Sequence, residues 1–223
     1  MSQVGKINDI RFLPEAIIFD FDGTMVDCET ATLRIAIPVI SRHLGRTVLD
    51  SELEILKGRV WKEEFRKWFP ETYYEVNNEI ITAWGETDPD IGPYNGISEI
   101  LKHLRDKQIP MAIASSREGH LIRETLSKLG WSSYFETIVG QEDTEKHKPE
   151  PHPLLLVTDK LSIKPTNCIY IGDQPWDIRA SKAANMASGA ALWGEGIFEV
   201  MVAENPDFLF HHPLDVMLQL FGE

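Results

Sequence analysis

The sequence predicts an α/β protein: a parallel sheet with helices on both faces, interrupted by an all-helical insertion. Three observations predict it. Short, continuous apolar runs stop abruptly at polar loops, the pattern of strands buried on both faces. From residue 93 onward these runs alternate with segments of helical periodicity. Between residues 28 and 92 only the helical rhythm is found.

The elements follow in order. Glu15–Phe21 (EAIIFDF) holds the first apolar run, Ala16 to Phe19, and reads as a buried strand ending in a loop. Leu33, Ile37, Val39, Ile40 and Leu44 repeat at helical spacing, although Pro38 is expected to bend or break that helix. Trp61, Phe65, Trp68 and Phe69 mark a second amphipathic helix, and Tyr74 to Trp84 a third. After GPYNG (Gly92–Gly96) the rhythm changes. Ile97–Lys107 reads as helix, Pro110–Ala114 as strand, and Leu121–Leu129 as a helix closed by Gly130. Thr137–Val139 is a short strand, Pro153–Leu161 a helix, and Cys168–Ile171 a strand. Ile178–Asn185 and Leu214–Leu220 read as helices, with Ser188–Trp193 strand-like between them. The predicted division is a core of residues 1–27 and 93–223 and a helical insertion of residues 28–92.

Composition narrows the function classes. The 223 residues are 43% hydrophobic and 26% charged, ordinary values for a folded globular chain. Twenty-two basic residues against 35 acidic ones give a net charge of −13, which disfavours non-specific binding to nucleic acid or an anionic membrane. No apolar run approaches the roughly 20 residues of a membrane helix. The opening segment lacks an apolar stretch of signal-peptide length, so a cytoplasmic protein is expected. Cys28 and Cys168 form no disulfide framework and no metal knuckle, and are expected to be buried thiols.

In open parallel sheets, ligands bind beyond the carboxyl ends of the strands, so the residues that follow each apolar run are the candidates for chemistry. The first run is followed by Asp20, Phe21, Asp22, Gly23 and Thr24. Strand alternation would turn Asp20 and Asp22 toward one site. Two carboxylates that close either share a cation or have one pKa raised; a raised one carries protons while its ionised neighbour stays nucleophilic. Asp-Gly is also a common turn dipeptide, with solvated acids as the plain alternative. Pro110–Ala114 is followed by Ser115, Ser116 and Arg117, a hydroxyl and a guanidinium suited to phosphate oxygens, or a serine cap of the next helix. Lys148 is followed by two prolines around Glu150, which stiffen its loop and suit charge neutralisation, with a solvated loop as the plain alternative. Cys168–Ile171 is followed by Gly172, Asp173, Gln174, Pro175, Trp176 and Asp177. With Pro175 opening a helix, Asp177 lies in its first turn and can face Asp173. Carboxylates without Cys or His partners suit a hard cation such as Mg²⁺; capping and dipole compensation are the alternative reading.

DFDGT at 20–24, Ser115, Lys148 and GDQPWD at 172–177, in that order at strand ends, resemble the haloacid dehalogenase-like hydrolase superfamily. The resemblance covers nearly the whole chain, and the helical insertion resembles the helical cap of its phosphoglycolate phosphatase and beta-phosphoglucomutase group. It implies a Rossmann-like parallel core with an inserted cap, and a Mg²⁺-dependent phosphatase acting on a small phosphorylated metabolite. It implies that Asp20 is the nucleophile, forming an aspartyl-phosphate, and that Asp22 protonates the leaving oxygen and then activates water. Mg²⁺ would be held by Asp20, the carbonyl of Asp22, and Asp173, with Asp177 supporting that shell. Ser115 and Lys148 would hold the phosphoryl group, with Gly23, Thr24, Ser116 and Arg117 as further phosphate contacts. Arg59 and Lys62, between two predicted helices of the insertion, either meet an anionic substrate tail or lie on a solvated helix face. The second acid, Asp22, argues against dehalogenation, since a halide leaves without a proton. A sugar-phosphate mutase is the alternative activity; Thr32 stands where mutases of this group carry a histidine. Pyrophosphate as substrate and a silent phosphate-binding protein are further alternatives. The sequence does not select the ester or the oligomeric state.

Overall fold

The computed structural model describes residues 12–49, 52, 66–87 and 91–223. The strands are β1 (Ala16–Phe19), β2 (Met111–Ala114), β3 (Thr137–Val139), β4 (Cys168–Gly172), β5 (Ala187–Ala191) and β6 (Phe208–Phe210). They form one sheet in the order β3-β2-β1-β4-β5-β6, and every pair is parallel. The described helices are α1 (Cys28–Leu44), α2 (Tyr73–Thr87), α3 (Ile97–Asp106), α4 (Gly119–Lys128), α5 (His152–Leu161), α6 (Pro175–Ala183), α7 (Phe198–Ala203) and α8 (Asp215–Phe221).

Alternation along β1 divides the core into two layers. Ile17 and Phe19 point to one face with Ile113, Ile169 and Ile171, and are covered by Ile100, Leu101 and Leu104 of α3 and by Val216 and Leu220 of α8. Ala16 and Ile18 point to the other, with Ala112, Ala114 and Tyr170, beneath Leu154 and Val157 of α5 and Ala180 of α6. A strand buried on both faces has no polar side to show, which is why β1, β2 and β4 read as unbroken apolar runs. The chain runs outward from β1 through β2 to β3, then returns across β1 to β4. Strand order therefore reverses at β1, and the crevice beyond its carboxyl end lies between β2 and β4.

Between β1 and β2, helices α1 and α2 bury an apolar cluster of their own. Leu33, Ala36, Val39 and Ile40 pack with Phe69, Tyr73, Val76 and Ile80. Asp27 caps α1 by accepting from the Thr30 amide at 2.9 Å, and Gly45 ends it in the left-handed region, at φ 68°. The helix is continuous through Pro38, where the sequence predicts a bend or break. An interior proline costs about 3 kcal/mol, and the buried residues on either side, Ala36, Val39 and Ile40, offset it. The two connections to the sheet run side by side: Asp27 N donates to Gly92 O at 2.9 Å and Tyr94 N to Met25 O at 3.1 Å. Of the predicted second helix, residues 66–68 are helical, while Gly58, Arg59, Trp61, Lys62 and Phe65 lie outside the described residues.

Two elements exceed the sequence reading. Helix α7 has six residues with only Met201 buried, too few to establish a period. Strand β6 has three residues and exists by pairing with β5, a contact no local pattern encodes. Strand β5 stops at Ala191 rather than Trp193, because the chain turns through Trp193–Gly196 over the sheet end. Helix α6 starts at Pro175, ahead of its first buried apolar residue, Ile178.

Ile18, with 0% exposure, lies at the centre of this sheet. Ile18→Ala is expected to cost about 2–5 kcal/mol in urea unfolding at unchanged m-value. Leu13→Ala, at a side chain 64% exposed, should stay within about 0.5 kcal/mol.

Candidate active site

The carboxyl ends of β1, β2 and β4 bring the sequence-predicted residues together. Asp20 follows β1 directly and is 6% exposed. Its Oδ1 accepts from the Phe21 amide at 2.8 Å, and its Oδ2 lies 3.0 Å from Lys148 Nζ. Lys148 also lies 2.7 Å from Asp177 Oδ1, and its side chain is 2% exposed. A third partner is the phenol of Tyr170, at 2.9 Å. Burial alone would push this ammonium's pKa down; Asp177 and Asp20 outweigh burial and hold it up. Asp177 lies in the first turn of α6, with its Oδ2 accepting from the Gln174 amide at 2.9 Å.

Asp173 has no cation at hydrogen-bond distance among the described residues. Its Oδ1 accepts from Thr24 Oγ1 at 2.9 Å, and its Oδ2 from Gln174 Nε2 at 2.8 Å and the Glu195 amide at 3.1 Å. Burial, and then the charges of Asp177, Asp20 and Glu195, push its pKa well above the ordinary range. The same forces raise Asp20: burial leads, Lys148 opposes, Asp177 adds, and the result is about 7.

Ligand oxygens of Asp20, Asp173 and Asp177 lie within 4.8 Å of one another. The donors are all oxygen, all buried, and carry more negative charge than Lys148 supplies. That set fits a hard divalent cation and does not suit zinc. Two glycines let the carboxylates approach. A Cβ on Gly172 would stand 2.4 Å from Asp177 Oδ2. One on Gly23, at φ +75°, would stand 2.4 Å from Asp173 Oδ2.

Asp22 belongs to a separate cluster. Strand β1 ends at Phe19, so strand alternation does not extend to residue 22. Arg117 grips the Asp22 carboxylate with both ends of its fork, Nε to Oδ2 at 2.9 Å and Nη2 to Oδ1 at 2.8 Å. Cys28 Sγ donates to Asp22 Oδ1 at 2.7 Å. Burial and the Asp22 charge push this thiol's pKa up, so it stays protonated. Ser115 is 5% exposed at the end of β2, its Oγ accepting from the Arg117 amide at 3.2 Å. Ser116 is exposed. The structure thus brings Arg117 to Asp22, Thr24 to Asp173, and Gly23 against Asp173, while Arg59 and Lys62 lie outside the described residues.

Sequence reasoning assigned no role here to Cys28, Tyr170, Gln174 or the turn at Trp193–Gly196. A tyrosine inside a fully buried strand must find a partner for its hydroxyl, and Gln174 three residues before Asp177 has capping-box spacing; both signals are readable. The turn is not. Trp193 Nε1 donates to Thr24 O at 2.8 Å, across 169 residues of chain.

A family model for haloacid dehalogenase-like hydrolases matches residues 17–191. A phosphoglycolate phosphatase from Xylella fastidiosa is 30% identical over 189 residues, covering 81% of each chain. A "Putative pyrophosphatase PpaX" from Caldanaerobacter subterraneus subsp. tengcongensis is 29% identical over 200 residues, 86% of this chain and 88% of that one. Among solved structures, a "Putative Phosphatase" from Clostridium difficile superposes with TM-score 0.81 at 19% identity, over 94% of this chain and 99% of that one. At that identity the superposition speaks for the fold.

The raised pKa of Asp20 has a consequence for stability. A carboxyl of pKa about 7 in the folded chain, against an ordinary value of 3.8, stabilises the fold fully below 3.8. That contribution is lost as pH rises through about 7. A divalent cation binds the ionised form and competes with the proton at low pH. Added Mg²⁺ should therefore raise the thermal midpoint more at about pH 8 than at about pH 5, relative to EDTA. Equal increments at both pH values would contradict this placement of the cation.

Proposed function

Because the chain belongs to the haloacid dehalogenase-like hydrolase family, we propose that it is a Mg²⁺-dependent phosphatase acting on a small phosphomonoester. The observation that supports this most is the pairing of Asp20 with buried Lys148 at the sheet's switch point, beside a separately held Asp22.

In the proposed reaction Asp20 Oδ attacks phosphorus. The bond from phosphorus to the ester oxygen breaks, and Asp22 gives that oxygen a proton. Asp22 then takes a proton from water, whose oxygen attacks the aspartyl-phosphate. The bond between phosphorus and Asp20 breaks, releasing inorganic phosphate and restoring both acids. Both oxygens of Asp22 are engaged by Arg117, so each transfer requires one of them to turn toward the ester. Lys148 offsets charge on Asp20 and on the transferring group, and Ser115 Oγ offers its hydrogen to a phosphoryl oxygen. Asp20, Asp173 and the backbone carbonyl of Asp22 would hold Mg²⁺, with Asp177 in support. The cation supplies the positive charge that lets an anionic nucleophile meet an anionic ester.

The insertion, residues 28–92, is proposed as a cap over this crevice, with residues 1–27 and 93–223 as the core. Arg59 and Lys62 are its proposed contacts to the far end of the substrate. The relatives' names make phosphoglycolate and pyrophosphate the first compounds to assay. The chain's charge of −13 speaks against nucleic acid, and none of the described helices is long and apolar enough to cross a membrane.

A phosphate-ester panel with Mg²⁺ should show turnover that EDTA abolishes. Asp20→Asn should lower kcat by at least about a thousandfold. Acid quenching during turnover of a phosphorus-labelled ester should trap label on the wild type and none on the variant. Full activity of Asp20→Asn would exclude the mechanism.

A further inference from the structure

Tyr170 lies within β4 and is 0% exposed, and its hydroxyl reaches the sheet end where the active-site residues gather. It lies 2.8 Å from Ala114 O, 2.9 Å from Lys148 Nζ and 3.5 Å from Asp177 Oδ1. A phenol has one hydrogen to donate. The ammonium has no lone pair, so toward Lys148 the phenol accepts, and its own hydrogen goes to the Ala114 carbonyl. Ala114 is the last residue of β2 and immediately precedes Ser115.

Lys148 Nζ has three hydrogens and three acceptors: Asp177 at 2.7 Å, Asp20 at 3.0 Å and Tyr170 at 2.9 Å. The two carboxylates attract it wherever it lies between them. The phenol is neutral, directional and fastened to backbone, so it selects one position along that line. In a stiff, buried site a lysine misplaced by a fraction of an ångström loses much of its effect on a transferring group.

We propose that Tyr170 is a positioning residue: its hydroxyl holds Lys148 Nζ between Asp20 and Asp177 and ties it to the strand end that carries Ser115. The inference rests on the phosphatase reading, in which Lys148 and Ser115 together receive the phosphoryl group. Phenylalanine at 170 would keep the ring's packing and leave both a lysine hydrogen and the Ala114 carbonyl without this partner.

The test is a double-mutant cycle of Tyr170→Phe and Lys148→Met in the full chain with Mg²⁺. Orthovanadate, a mimic of the transferring phosphoryl group, is titrated by calorimetry, and kcat and KM are measured on the best ester of the panel. Tyr170→Phe should lower kcat and vanadate affinity about tenfold, the scale of one well-placed hydrogen bond, with KM within about threefold. In the Lys148→Met background it should change vanadate affinity less than about twofold. An equal loss in both backgrounds, or no loss in the first, overturns the proposal. If the wild type neither turns over any ester nor binds vanadate, the phosphatase reading itself has failed. The tie is then read from the unfolding free energies of the same four proteins, where additivity overturns it and coupling upholds it.

Discussion

An ammonium buried among carboxylates is the constraint on which the rest of this structure depends. Lys148 lies within 3.0 Å of Asp20 and 2.7 Å of Asp177. Either carboxylate buried alone would be costly to ionise, and the lysine buried alone would shed its proton. Together they hold, but they do not balance. Among the described residues Asp173 has only neutral donors at hydrogen-bond distance, and burial with the neighbouring carboxylates raises its pKa. When ionised, Asp20, Asp173 and Asp177 outnumber the one ammonium, a donor set that fits a divalent cation. A Cβ at Gly172 or at Gly23 would stand 2.4 Å from one of these carboxylate oxygens.

The sheet makes this arrangement attainable. Three strands must end at one level for their following residues to meet, and the pairing of Ile18 with both Ala112 and Tyr170 sets that level. The reversal of strand order at β1 opens the crevice into which the loops turn. Apolar burial on both faces fixes the strands, so the loops inherit precise positions without packing of their own. Tyr170 belongs to both systems: its ring lies in the apolar layer and its hydroxyl in the polar cluster. Asp22 is kept apart from the Lys148 cluster by a cation of its own, Arg117. Two neighbouring acids of one short motif thereby face different electrostatic surroundings.

Local physics made much of this legible. The runs at Ala16–Phe19, Pro110–Ala114 and Cys168–Ile171 read as strands buried on both faces, which put the acids after the first and third and the serines after the second at one edge. Helices α3, α4 and α5 announced themselves by period, and α4 also by Gly130, which closes it. Where a feature depends on distant partners, the sequence was silent. Strand β6 is three residues long and is held by β5, and the turn after β5 is placed by a tryptophan reaching back to Thr24.

By itself, then, the sequence determined five of the six strands, most of their helical cover, and the acids and serines at the strand ends, because apolar periodicity and abrupt polar stops are local properties of the chain. The tertiary structure alone decided how those groups pair. It gave Arg117 to Asp22 rather than to an open pocket, placed the Cys28 thiol on the same carboxylate, and set Tyr170 behind Lys148. Each of these contacts joins separate segments of chain, from six to 95 residues apart. Their geometry follows from strand register and burial, which no motif spacing records.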